Sequence, residues 1–181
     1  VALARVYNVD VNAGTASVAG IYAGTGGVIG QEMVLMFGVC GAGVEANISA
    51  VRVALNSGTS TSSYPSNGSI TFRIRPVSGA NVGVLVGTAT ARAIGQSTTA
   101  AASTWIYSTT SGSGTGTFAT MTTAPYWSQT LPFTAGANWG EWFTPGFELN
   151  IAPSSTMAFT METSGGTGSQ IYVVPELVIS E

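Results

Sequence analysis

The sequence predicts an all-β fold, an antiparallel sandwich of about eight to ten strands forming a single domain over residues 1–181. Three observations carry this. Short segments rich in Val, Ile, Thr, Phe and Tyr recur along the chain, and several alternate apolar and polar residues with a period of two. Clusters of Gly, Ser, Asn and Pro punctuate them, as turns do between strands. The length of 181 residues suits one domain, able to bury roughly 70% of its unfolded surface without metals or disulfides.

In chain order, the first strand is expected at 6–11, with Val6, Asn8 and Asp10 on one face and Tyr7, Val9 and Val11 on the other. Others follow at 17–22, 32–39, 69–75, 82–90, 104–107, 117–122, 147–151, 156–162 and 170–179. Gly41-Ala42-Gly43-Val44-Glu45-Ala46 turns the chain after an apolar strand. Ile48, Val51, Arg52 and Leu55 then fall at helical spacing, which leaves room for one short helix near residues 46–55. The same glycines fit a dinucleotide fingerprint, but that mechanism needs an acid about 20 residues downstream. The next acid after Glu45 is Glu141, so a strand-to-helix turn inside a β fold is the expectation.

Within 69–75, Ile70, Phe72 and Ile74 fill one face, while Arg73 and Arg75 project from the other beside Pro76. Two exposed arginines suit pairing with a partner's carboxylates, or equally the protection of a sheet edge. Residues 56–68 and 108–116 are uncharged and of low complexity, and are expected as long loops. Strands 147–151, 156–162 and 170–179 read as an antiparallel meander, turned by Ala152-Pro153-Ser154-Ser155. Pro175 has no N–H to give a ladder, which demotes its position to an edge or a bulge.

Composition removes much chemistry. Only 7% of residues are charged, and the five cations are Arg5, Arg52, Arg73, Arg75 and Arg92, with no lysine and no histidine. Imidazole bases, histidine metal ligands, Schiff bases and P-loop contacts are therefore excluded. A net charge of −3 with scattered arginines argues against nucleic acid as a partner. Cys40 is the only cysteine; it lies in an apolar run and reads as a small buried hydrophobe. The longest apolar stretch, Met33 to Val44, has twelve residues, too few for a membrane helix of about 20, and no membrane partner is expected.

Paired carboxylates are the one catalytic device left, and they make a two-glutamate glycosidase the enzyme alternative. Glu141 and Glu148 flank a Pro-Gly bend, and Glu162 and Glu176 lie on successive strands. Glu162-Thr163-Ser164-Gly165-Gly166 resembles the acid/base segment of small jelly-roll xylanases, although no nucleophile strand accompanies it. Trp139-Gly140-Glu141-Trp142-Phe143 is the densest aromatic cluster, and suits a core corner or an interface; period two places Trp142 opposite Glu141 and Phe143. Arg73, Arg75, Trp139, Trp142 and Phe143 are thus the candidate interface residues, and no catalytic, metal or cofactor residue is expected.

The alternating opening Arg5-Val6-Tyr7-Asn8-Val9-Asp10-Val11, the turn-bracketed pair from Phe147 to Glu162 and the closing strand Ile171 to Ile179 give the chain its overall style. In that style it resembles the small jelly-roll decoration, or cement, proteins of tailed bacteriophage capsids. The resemblance implies a jelly roll without enzymatic activity, associated as dimers or trimers on the capsid exterior. There it would bridge neighbouring subunits of the major capsid protein. A head-fibre or tail-associated protein is the alternative within virions; a carbohydrate-binding module or host adhesin, with a glycan as partner, is the alternative among binding proteins.

Overall fold

The computed structural model describes residues 5–10, 21–23, 32–56, 69–77, 87–94, 100–107, 118–119, 124–132, 138–164 and 171–181. Thirteen strands run through them: β1 (Val6–Asp10), β2 (Ile21–Ala23), β3 (Glu32–Val39), β4 (Ala46–Asn56), β5 (Ser69–Pro76), β6 (Gly87–Ala93) and β7 (Thr104–Tyr107). They continue with β8 (Phe118–Ala119), β9 (Trp127–Pro132), β10 (Asn138–Trp142), β11 (Leu149–Ile151), β12 (Thr156–Ser164) and β13 (Ile171–Ser180). Loops 56–68 and 108–116 lie outside the described residues, apart from Asn56, which ends β4.

The strands form two antiparallel sheets in a sandwich-like arrangement. One has the order β10-β4-β13-β1-β6, with β2 on β13 and β11 on β4; the other has the order β7-β3-β12-β5-β9, with β8 on β3. β6 joins them, since its first residues pair with β7 and the rest with β1. A strand that changes sheets in this way makes a closed corner. On the opposite side, between β9 and β10, closure is by side chains. Trp127 stacks on Trp139 at 5.4 Å and meets Phe143 edge-on at 6.4 Å, while its indole N–H donates to Glu141 at 2.9 Å. Between the sheets lies one apolar core containing Tyr7, Leu35, Ile48, Val53, Phe72, Phe159 and Leu177, each no more than 2% exposed.

Four expectations are corrected. Residues 46–55 are extended, not helical. Val178 pairs with Ala50 and Ile179 with Ile48, so Ser49 is an extra residue in a β-bulge. The bulge moves the inward positions from Ile48 to Val51 and then Val53 and Leu55, and a period of two broken once imitates helical spacing. The glycine turn accordingly joins strand to strand: Gly43 has φ +77°, and Val44 N–H donates to the Gly41 carbonyl at 3.2 Å.

The third correction concerns the C-terminal meander. Ala152 to Ser155 does turn, with Ser155 N–H donating to the Ala152 carbonyl at 3.1 Å. But β11 pairs with β4, β12 with β3 and β5, and β13 with β1 and β4, so each step crosses to the other sheet. A crossing turn and a hairpin turn need the same residues. The fourth is strand number, since β4, where a short helix had room, and β9 and β10, which match no expected strand, carry the count from ten to thirteen. Pro175 pairs with Val53 of β4; on its other side the described pairings are those of β1 as far as Glu176 and of β2 as far as Val173.

Gly38 is the tightest point described. A Cβ there would lie 2.7 Å from the ring of Trp105, which is 2% exposed and pairs directly across from Gly38 on β7. Gly38→Ala is expected to cost about 1–3 kcal/mol by overpacking. Urea unfolding checks this, and an unchanged midpoint would contradict it.

Candidate functional site

Three side-chain constellations stand out. The first lies on the outward face of the β3-β12-β5 sheet. Arg73 donates to Glu32 at 2.9 Å and to Glu162 at 2.7 Å, Arg75 also binds Glu32, and the Thr160 hydroxyl donates to Glu32 at 2.7 Å. Arg73 and Arg75 do share a face opposite Ile70, Phe72 and Ile74, but that face is covered. Arg75 is 9% exposed, Thr160 is fully buried, and Val34, Phe37 and Ala158 form a second apolar cluster on the same side. Alternation separates the two faces of a strand without saying which meets water. The arginines that the sequence offered to a partner are held by this chain's own glutamates.

The second constellation is the aromatic closure. Trp139 and Phe143 point inward and pack against the core, which ties both to the β9–β10 junction. Trp142 points the other way, as its parity requires, and is 61% exposed.

The third surrounds Trp142 on the outward face of β10-β4-β13. Arg52 stands 5.1 Å from the centroid of the Trp142 ring and donates to Glu176 at 3.0 Å. These side chains wall a cleft of about 360 Å³, together with Asn138, Gly140, Ala54 and Val174. The register explains the meeting: β4 lies between β10 and β13, and Arg52 is directly across from Gly140 on one side and Glu176 on the other. Small residues at Gly140 and Ala54 leave the floor low, while Trp142, Arg52 and Glu176 rise around it. Sequence reading found Trp142, named Glu176 only as a carboxylate beside Glu162, and missed Arg52 and Asn138, because what joins them is register between strands far apart in the chain, Arg52 and Glu176 being 124 residues apart.

The remaining carboxylates have partners as well. Asp10 binds Arg92, Glu45 accepts from Asn150, Glu141 from Trp127, Glu148 from the Gly146 N–H, and Glu181 from the Ala102 and Ser103 N–H groups. Glu162 and Glu176, the successive-strand pair, sit on the outward faces of different sheets, with the core between them. Cys40 is 1% exposed. Burial first, and then the nearby Glu181 and Glu45 carboxylates, push its thiol up, only partly opposed by a backbone hydrogen bond at Ala46. These surroundings disfavour the thiolate that reactivity requires. Among the described residues no group of three or more Cys, Asp or Glu side chains is placed to hold a metal ion, and no helix is long and apolar enough to cross a membrane. Comparison with family models, curated proteins and solved structures finds no match to this chain.

The two ion-pair sites separate by burial. Glu32→Gln removes the carboxylate that Arg73 and Arg75 share in a buried cluster and is expected to destabilise the fold by about 3–5 kcal/mol. Arg52→Gln breaks an exposed pair and is expected to cost no more than about 1 kcal/mol. Chemical denaturation of both variants tests the contrast, and equal losses would contradict it.

Proposed function

We propose that the chain is a virion structural protein of jelly-roll topology, a capsid decoration protein that associates as a dimer or trimer on the outside of a phage head. In this reading it bridges neighbouring major capsid subunits. The observation that carries the proposal is the pairing pattern. Setting aside β6 and β7, which lie along β1 and β3, and the very short β2, β8 and β11, eight strands remain in the chain order β1, β3, β4, β5, β9, β10, β12, β13. The first pairs with the eighth, the second with the seventh, the third with the sixth and the fourth with the fifth. One long hairpin rolled upon itself would pair its strands in this way, which supports the jelly-roll reading.

The distribution of charge supports the same reading. Arg52, Arg73, Arg75 and Arg92 are matched within the chain by Glu176, Glu32, Glu162 and Asp10. A surface of Ser, Thr, Gly and aromatic residues can press against neighbouring subunits with few ions to desolvate. Bridging a shell requires contacts and no reaction, and many modest contacts acting together suffice. This reading assigns no catalysis to the chain.

The test is addition of the purified protein to capsids lacking it, alongside its mass in solution. The expected results are a dimeric or trimeric mass, saturable binding and a raised melting temperature of the shell. Because the contacts are not ionic, affinity should change less than about threefold between ~50 mM and ~500 mM salt. A monomeric mass without capsid association would overturn the proposal.

A further inference from the structure

We propose that the cleft beside Trp142 is a binding site for a neutral saccharide. The inference does not depend on the decoration reading, since it rests on the chemistry of one face of β10-β4-β13.

Trp142 leaves most of a large aromatic side chain in water, at 61% exposure, where burial would be worth about 1.5–3 kcal/mol. The ring is not loose. Arg52 stands against it at 5.1 Å and is itself tethered to Glu176 at 3.0 Å, so the platform is oriented before any ligand arrives. The cleft of about 360 Å³ falls within the size range of small-molecule sites. Its depth depends on Gly140, where an added Cβ would sit 3.2 Å from Arg52 Cγ.

The polar groups select the ligand class. Arg52 and Glu176 sum to no net charge, so an anion meets Glu176 and a cation meets Arg52, and neither gains on balance. A wholly apolar ligand would strip water from the ion pair and return no hydrogen bonds. A guanidinium, a carboxylate and the Asn138 amide instead offer both donors and acceptors in the same cleft as the exposed indole. A pyranose matches this arrangement: its C–H face stacks on an indole, and its rim of hydroxyls both donates and accepts.

The experiment titrates the full chain with cellohexaose, xylohexaose, mannohexaose and N-acetylchitohexaose, followed by calorimetry and tryptophan fluorescence. The proposal predicts saturable binding of at least one of these at or below ~1 mM. Trp142→Ala and Gly140→Val should each weaken it by about tenfold or more, and Tyr126→Ala, an exposed aromatic outside the cleft, should leave it unchanged. Melting temperatures close to that of the parent protein establish that the cleft variants fold. No binding of any hexaose at ~5 mM, or binding that survives both cleft substitutions, would overturn the proposal. So would self-association of the chain that Trp142→Ala abolishes in the absence of sugar binding, which would give the cleft to a second copy.

Discussion

The ladder made by β13 is the constraint on which the rest of the molecule depends. β13 lies inside its sheet, between β4 on one side and β1 and β2 on the other. Beyond it, Arg5 and Glu181 exchange a pair of backbone hydrogen bonds at 2.9 and 3.0 Å. The Glu181 side chain then takes the N–H groups of Ala102 and Ser103, and Ser103 accepts the indole N–H of Trp105 at 2.9 Å. One strand thereby fastens the first sheet together and grips the segment leading into β7 of the second. Of all the described strands, only β6 and β7 are neighbours both in sequence and in a sheet. The fold therefore completes only when distant segments meet, a topology that pays its loop-closure entropy before the contacts compensate it.

A chain with so few ions places them across strands rather than along them. Arg52 reaches Glu176 from β4 to β13, Arg73 reaches Glu162 from β5 to β12, and Arg92 reaches Asp10 from β6 to β1. Each pair reinforces a non-local ladder. In the buried cluster around Glu32 the charges also fix register, because a slip of one residue would turn Arg73 and Arg75 into the apolar core.

Legibility in the sequence followed the range of the interaction. Local alternation showed the two faces of β1 and β5, and the residue chemistry of Ala152-Pro153-Ser154-Ser155 showed a turn. The bulge at Ser49 is equally local, yet one inserted residue was enough to make a strand resemble a helix. Whether a turn returns within a sheet or crosses between sheets is decided by the core, and the C-terminal strands were misread for that reason. The Arg52–Trp142–Glu176 cleft requires the register of three strands at once. Parity, which is local, set Trp142 on the face opposite Glu141 and Phe143; which of those faces meets water, and what stands beside the ring there, only the register decides.

Native-state hydrogen exchange, resolved by residue, tests the keystone role of β13 most directly. If that role is correct, amides of β13 and β4 exchange only through global opening, and their protection is lost together with that of β12. Exchange in β13 that is faster than in β5 and β12, through an opening that leaves the second sheet protected, would contradict it.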